Sequence, residues 1–149
     1  MEIDPATEGD LPALLPLLRG YCDFYEVSPP DDGLTTMAQA LVAAPDTEGI
    51  LLVARDGDRV PVGFAIVCWK WSSLRASQVA VMEDLFVAAE SRGRGIADAL
   101  IEACAQRARE LGAPALTWLT AVDNQRAQAV YNRTGANSEP LLEYDLELG

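Results

Sequence analysis

The chain contains no histidine in 149 residues. That removes the commonest metal ligand and the commonest general base, and with them the serine-triad, zinc-hydrolase and papain-like chemistries built around an imidazole. Cysteine is scarce. Cys22, Cys68 and Cys104 are an odd number, lie far apart and each sit in an apolar stretch. This is the pattern of buried thiols in a reducing compartment, with neither a disulfide framework nor the first shell of a metal site. Basic residues are few, 11 against 23 acidic, for a net charge of −12. Nucleic acid is therefore not an expected partner, because phosphate neutralisation needs a basic surface. The same acidity serves solubility or the steering of a cationic substrate. No apolar run approaches the roughly 18–20 residues of a membrane span. Met1-Glu2-Ile3-Asp4 lacks the basic flank and apolar core of a signal peptide. A cytoplasmic protein with no membrane partner is expected.

What is present suits one domain over residues 1–149, half of it apolar. Glu2–Ala6 can start a strand. Capping residue types from Thr7 to Asp10 and Pro12 in the first turn open a helix, with Leu11, Leu14, Leu15, Leu18 and Cys22 at helical spacing. Ser28 to Gly33 breaks the chain, and a second helix is predicted from Leu34 to Ala43. The period then changes. Ile50–Ala54, Val60–Trp71 and Gln78–Val87 read as three strands of an antiparallel meander, with turns at Asp56-Gly57-Asp58 and Ser72–Ala76. Ile96–Leu111 is an amphipathic helix stopped by Gly112. Ala115–Thr120 reads as a strand, Gln125–Arg133 as a helix capped by Asp123 or Asn124, and Leu141–Leu148 as a last, alternating strand. The order β-α-α-β-β-β-α-β-α-β predicts an α+β fold with a mixed, mostly antiparallel sheet flanked by helices.

Between the third meander strand and the long helix lies Arg92-Gly93-Arg94-Gly95-Ile96-Ala97. A glycine-rich loop that opens a helix exposes a row of backbone N–H groups at the positive end of the helix dipole. Two arginines add charge in an otherwise acidic chain. The combination reads as a pyrophosphate cradle, with a plain strand-to-helix turn as the competing reading. A Walker loop needs Gly-Lys-Ser/Thr, which is absent. A Rossmann fingerprint needs a third glycine and a βαβ unit, but here Ala97 holds the third place and antiparallel strands precede the loop.

Arg92 to Ala97 resembles the R/Q-x-x-G-x-G/A signature of the GNAT superfamily of N-acetyltransferases, and Glu83-Asp84-Leu85-Phe86-Val87 resembles its central strand. Trp118-Leu119-Thr120, Asn124, Ala127, Tyr131, Gly135 and Ala136 resemble a further block of that superfamily. Ala97 and Ala89 stand where glycine and proline are common. The resemblance implies acetyl-coenzyme A as cosubstrate and no metal. Leu85, Phe86 and Val87 would offer backbone groups to the pantetheine arm, between diverging strands at 78–87 and 115–120. Arg92, Gly93, Arg94, Gly95, Ile96 and Ala97 would hold the pyrophosphate, and Asn124 would meet the pantetheine. Tyr131 would protonate the leaving thiolate.

Glu83 would handle the amine proton, by local similarity to spermidine/spermine N-acetyltransferases, with Asp84 on the opposite sheet face. Tyr21, Tyr25 and Glu26, at the end of the first helix where this superfamily often places acceptor contacts, and Asp84 are weaker substrate-contact candidates. Trp69 and Trp71 share a strand face and suit core packing, dimer packing or a substrate mouth. The implied acceptor is a small-molecule or peptide amine, of cationic or lysine-like type, attacked directly, and a homodimer is implied as well. A non-catalytic coenzyme A-binding regulatory module is the alternative class. Retention of both Glu83 and Tyr131 argues against it, since a mere binder needs neither.

Overall fold

Runs of consecutive buried residues at 51–55 and 62–67 build the sheet. The computed structural model describes all 149 residues. Its elements are β1 (Glu2–Pro5), α1 (Leu11–Phe24), α2 (Asp31–Ala43), β2 (Ile50–Arg55), β3 (Pro61–Ser72), β4 (Ser77–Val87), α3 (Ile96–Leu111), β5 (Leu116–Thr117) and α4 (Gln125–Asn132). The sheet order is β1-β2-β3-β4-β5. The first four strands are antiparallel neighbours, and β5 joins β4 in parallel. The α+β class with a mixed, mostly antiparallel sheet holds. Contacts divide the chain into two compact units, Met1–Trp118 and Leu119–Gly149.

In the first unit the sheet is sandwiched between helices. Leu14, Leu18, Leu34, Ala38 and Leu41 of α1 and α2 pack with Leu51, Val53, Phe64 and Ile66 of β2 and β3. The helix α3 covers the opposite face, where Ile96 and Leu100 close on Gly63. A Cβ at Gly63 would also lie 2.9 Å from the Phe86 carbonyl oxygen, so only glycine lets β3, β4 and α3 approach this closely. Helix α2 begins at Asp31, three residues before the expected start. Pro30 holds the extended cap conformation, and Asp31 and Asp32 stand in the first turn, where the helix dipole favours acids.

Arg55 is 6% exposed and ties three segments together. Its Nη1 donates to Asp4 Oδ2 at 2.7 Å, and its Nη2 and Nε donate to Asp10 at 2.7 and 3.3 Å. Asp10 also accepts from the Thr7 backbone N–H at 2.8 Å. Burial pushes the Asp10 carboxyl up, but the Thr7 N–H and the Arg55 guanidinium outweigh it and hold that carboxyl below its ordinary range.

In the second unit, Asn124 caps α4 by accepting from the Ala127 N–H at 3.1 Å, the usual reason for an amide at that position. The turn after α4 contains Gly135 at φ 82°. The expected strand over Leu141–Leu148 does not form, and the segment is irregular. Leu142, Tyr144, Leu146 and Leu148 alternate with Glu143, Asp145 and Glu147, yet all four stand in water, Tyr144 at 87% exposure. Alternation decides which side chains share a face; a strand also needs a hydrogen-bonding neighbour, which the pattern cannot supply. No helix is long and apolar enough to cross a membrane.

Candidate active site

The loop after β4 is built from backbone geometry. Gly93 and Gly95 both have φ of 78°, the left-handed region that favours glycine. Gly95 occupies the N-cap position of α3 without any side-chain cap, so the first N–H groups of the helix lack a side-chain acceptor. Nothing lies within 4 Å of a Cβ built at either glycine. The space beside those donors is open and can admit an anion. Arg94 is exposed at the mouth. Arg92 turns back instead: its Nε donates to the Val87 carbonyl at 2.9 Å, and its guanidinium lies 5.5 Å from the centre of the Phe86 ring. It locks the loop to the end of β4. Phosphate oxygens fit this donor set.

Strand β4 supplies the second part. β5 pairs with it only at Ala80 and Val81, against Leu116 and Thr117. The strand expected over Ala115–Thr120 is thus two residues long. From Met82 to Val87, β4 has no strand partner on that side, and its outward backbone groups, apart from the Val87 carbonyl that accepts from Arg92, are open to an extended ligand. Leu85, Phe86 and Val87 lie in this stretch, opposite Ala65, Phe64 and Gly63 of β3.

The register between β3 and β4 slips at the carboxylates. Asp84 faces Ile66 and Met82 faces Val67, which leaves Glu83 as an inserted residue without a partner. Such a bulge breaks the two-residue alternation. The expectation that Glu83 and Asp84 stand on opposite faces is corrected by it. Both carboxylates act on the Cys68 thiol, which belongs to the α1 side of the core. Burial, followed by Glu83, Asp84 and Glu48, pushes that thiol up to about 11. Glu83 itself is exposed. Asp84 is half-buried, and burial raises its carboxyl above the ordinary range although the Tyr21 hydroxyl donates to it and opposes the shift. Tyr21 is raised in turn, first by its own burial and then by Asp84. The sequence offered Tyr21 as an acceptor contact; its pairing with a carboxylate in β4 is announced by no local motif.

Tyr25 and Glu26 close α1; the Tyr25 ring centre is 5.0 Å from that of Tyr21, and Glu26 adopts a left-handed φ of 58°. Trp69 donates its indole N–H to the Pro45 carbonyl at 3.2 Å, whereas Trp71 is 76% exposed. Cys104 is buried, which pushes its thiol up to about 12. No group of three or more His, Cys, Asp or Glu is placed to hold a metal ion. On α4, Asn124 spends its carbonyl oxygen on the cap and keeps its amide N–H groups. Tyr131 stands seven residues on, about 20° from two full turns, so both project from one side of the helix.

Residues 14–136 match the acetyltransferase (GNAT) family. Over 128 residues the chain is 33% identical to the D-amino-acid N-acetyltransferase HPA3 of Saccharomyces cerevisiae, which spans 85% of this chain and 78% of that protein. Over 135 residues it is 27% identical to the uncharacterized N-acetyltransferase YhfO of Bacillus subtilis, 91% of this chain and 89% of that one. Among solved structures, a probable acetyltransferase is similar with a TM-score of 0.87 at 28% identity, covering 100% of this chain and 99% of its own. The aminoglycoside N-acetyltransferase AAC(6')-Iy, solved in complex with CoA, shares the fold at a TM-score of 0.86 and 21% identity, covering 99% and 95%.

Proposed function

Because the chain belongs to the GNAT acetyltransferase family and is an acetyl-CoA-dependent N-acetyltransferase, we propose that its acceptor is a small cationic primary amine or a lysine-like group, attacking the thioester directly. The acidic surroundings of the β4 bulge carry this reading. Every ionised group that acts on the Cys68 thiol, namely Glu83, Asp84 and Glu48, is an acid. A cation is drawn to such a place, and an acceptor bearing its own carboxylate is repelled. The yeast relative is named for D-amino acids, which carry that carboxylate. The likeness of Glu83–Val87 to diamine acetyltransferases favours an acceptor without one.

Acetyl-CoA brings an activated acyl thioester; the chain must bind it and move protons. The open donors at Gly93–Ala97, with Arg94, take the pyrophosphate. The unpaired edge of β4 over Leu85–Val87 takes the pantetheine, and N–H groups of that edge suit the carbonyl oxygen as charge develops on it. The Asn124 amide serves the pantetheine as well. A carboxylate at the bulge, Glu83 or Asp84, receives the ammonium proton. Tyr131 returns a proton to the leaving thiolate, which suits a phenol because its ordinary pKa near 10 is close to that of a thiol. Direct transfer is supported by the burial that holds two of the three thiols protonated, Cys68 at about 11 and Cys104 at about 12, and by the place of the third, Cys22, inside the core. The exposed, alternating residues 141–148 support the homodimer, being a segment with the pattern of a strand and no neighbour to pair with.

An acceptor panel tests the reading. Acetyl-CoA is supplied with a diamine, an aminoglycoside, a lysine peptide and a D-amino acid, and thiol release is followed. A kcat/KM for the carboxylate-free amines at least about tenfold above that of the D-amino acid is expected, equivalent to about 1.4 kcal/mol of transition-state discrimination. Preference for the D-amino acid overturns the acceptor assignment.

A further inference from the structure

Within that reaction, we propose that Asp84 is the carboxylate that receives the ammonium proton and that Tyr21 is the residue that positions it. The proposal rests on the reading of the chain as an amine acetyltransferase. Glu83 is the inserted residue of the bulge, opposite no residue of β3 and exposed to water. Asp84 follows it, in register with Ile66 and half-buried. Two neighbouring carboxylates thus have different surroundings, one solvated and one drawn into the α1 side of the sheet.

Tyr21 is fixed by rings. Its centroid lies 5.0 Å from Tyr25, 6.0 Å from Phe64 and 6.4 Å from Phe86, the last two in edge-on contacts. Phe86 in turn is seated against Gly20, where a Cβ would come within 3.0 Å of its ring. With the ring immobilised, the Tyr21 hydroxyl is held beside the Asp84 carboxylate and donates to it. Tyr25, half exposed, also hydrogen-bonds with the Tyr21 hydroxyl. The result is a chain of side chains from solvent at Tyr25 through Tyr21 to Asp84.

This arrangement gives a carboxylate the properties of a base. Burial makes the ionised form of Asp84 more reactive towards a proton than a solvated carboxylate, and one donor from Tyr21 orients the group without neutralising it. Tyr21 from α1 acts on Asp84 directly and Tyr25 acts on Tyr21, while Cys68 from β3 feels Asp84 together with Glu83 from β4 and Glu48 from the segment before β2. In the step, an ammonium N–H bond breaks and its proton passes to Asp84. The nitrogen pair then forms the bond to the acetyl carbon as the C–S bond breaks. The departing sulfur takes its proton from the acid, and Asp84 later releases its own to water.

The experiment is the pH dependence of kcat/KM for Asp84→Asn, Tyr21→Phe and Glu83→Gln. It uses whichever amine of the panel reacts best, so an error in the acceptor class changes the substrate and leaves the assignment testable. Binding of acetyl-CoA is followed separately by thermal shift. The wild type should show an acid limb above the ordinary carboxylate range. Asp84→Asn should lose that limb and slow about 10²-fold, with the acetyl-CoA shift retained. Its stability carries a sign of its own. A carboxyl raised in the fold contributes stability below the ordinary carboxylate range and loses it as pH rises through the folded value. Asp84→Asn should therefore be at least as stable as wild type at neutral pH while turning over slowly. Tyr21→Phe keeps the ring, removes the donor that favours the charged form, and should move the limb up by about one pH unit. Glu83→Gln should keep the limb where it is. The proposal fails if the limb survives in Asp84→Asn, stays in place in Tyr21→Phe, or vanishes in Glu83→Gln. Should Asp84→Asn not fold, the Tyr21→Phe limb decides.

Discussion

Two glycines bracket α3 in almost the same conformation, Gly95 at φ 78°, ψ 11° and Gly112 at φ 83°, ψ 17°, and neither has an atom within 4 Å of where a Cβ would stand. Alanine at either position meets the same left-handed strain, about 1–2 kcal/mol. In a chain of this size that lowers Tm by roughly 2–8 °C. Only Gly95 lies beside the open N–H groups read as the pyrophosphate site. At a concentration of about 100 Kd, acetyl-CoA should stabilise wild type and Gly112→Ala by about 2.7 kcal/mol, a rise of roughly 5–11 °C. Gly95→Glu adds bulk and a carboxylate where the anion belongs. A hundredfold weaker Kd at the same concentration leaves about 0.4 kcal/mol, a shift of roughly 1 °C. Gly95→Ala should fall between. The assay is differential scanning fluorimetry of the four proteins with and without acetyl-CoA. Equal ligand shifts in Gly95→Glu and Gly112→Ala would refute the argument and make the loop a structural turn.

Other outcomes follow from particular residues. Arg55→Met leaves Asp10 and Asp4 without their cation, and chemical denaturation should show a loss of about 3 kcal/mol. Because Asp10 is held below its ordinary range, the stability it contributes is present above that range and drains away as pH falls through the folded value. The variant should accordingly show a weaker loss of stability in acid than wild type. Tyr131→Phe should slow the single-turnover rate about 10²-fold, with acetyl-CoA affinity within a few-fold; a tyrosine that only packs would lower Tm and leave the rate alone. The full chain should sediment as a dimer and a chain ending at Ser138 as a monomer, and a full chain that is monomeric at every concentration removes the role given to residues 141–148.

Local signals were readable in the sequence, and registers were not. Helix α3 occupies Ile96–Leu111 as expected, because an amphipathic stripe lies between two glycines in left-handed conformations. Asn124 announces its cap because the bond it makes reaches only to Ala127. The left-handed turn at Arg92–Ala97 was legible for the same reason: its geometry is set by two glycines within six consecutive residues. The bulge at Glu83 was invisible, since one inserted residue in a run of strand formers leaves no mark on composition, and it leaves Glu83 exposed while Asp84 stays in register with Ile66. The Tyr21–Asp84 pair and the Arg55 cluster join segments remote in sequence, and no spacing rule connects them. At Leu141–Leu148 the alternation was real, but a strand depends on a neighbour that its own residues do not encode.

The central claim is direct acetyl transfer from acetyl-CoA to an amine, and rapid-quench mass spectrometry of both protein and products tests it most directly. The protein is mixed with acetyl-CoA, first alone and then with the best amine of the panel. With Cys68 and Cys104 protonated at neutral pH, the account predicts no acetylated protein at any time without amine. With amine it predicts one free thiol for each acetamide formed. A burst of acetylated protein that decays when amine is added would contradict it, as would thiol release without an acetylated amine.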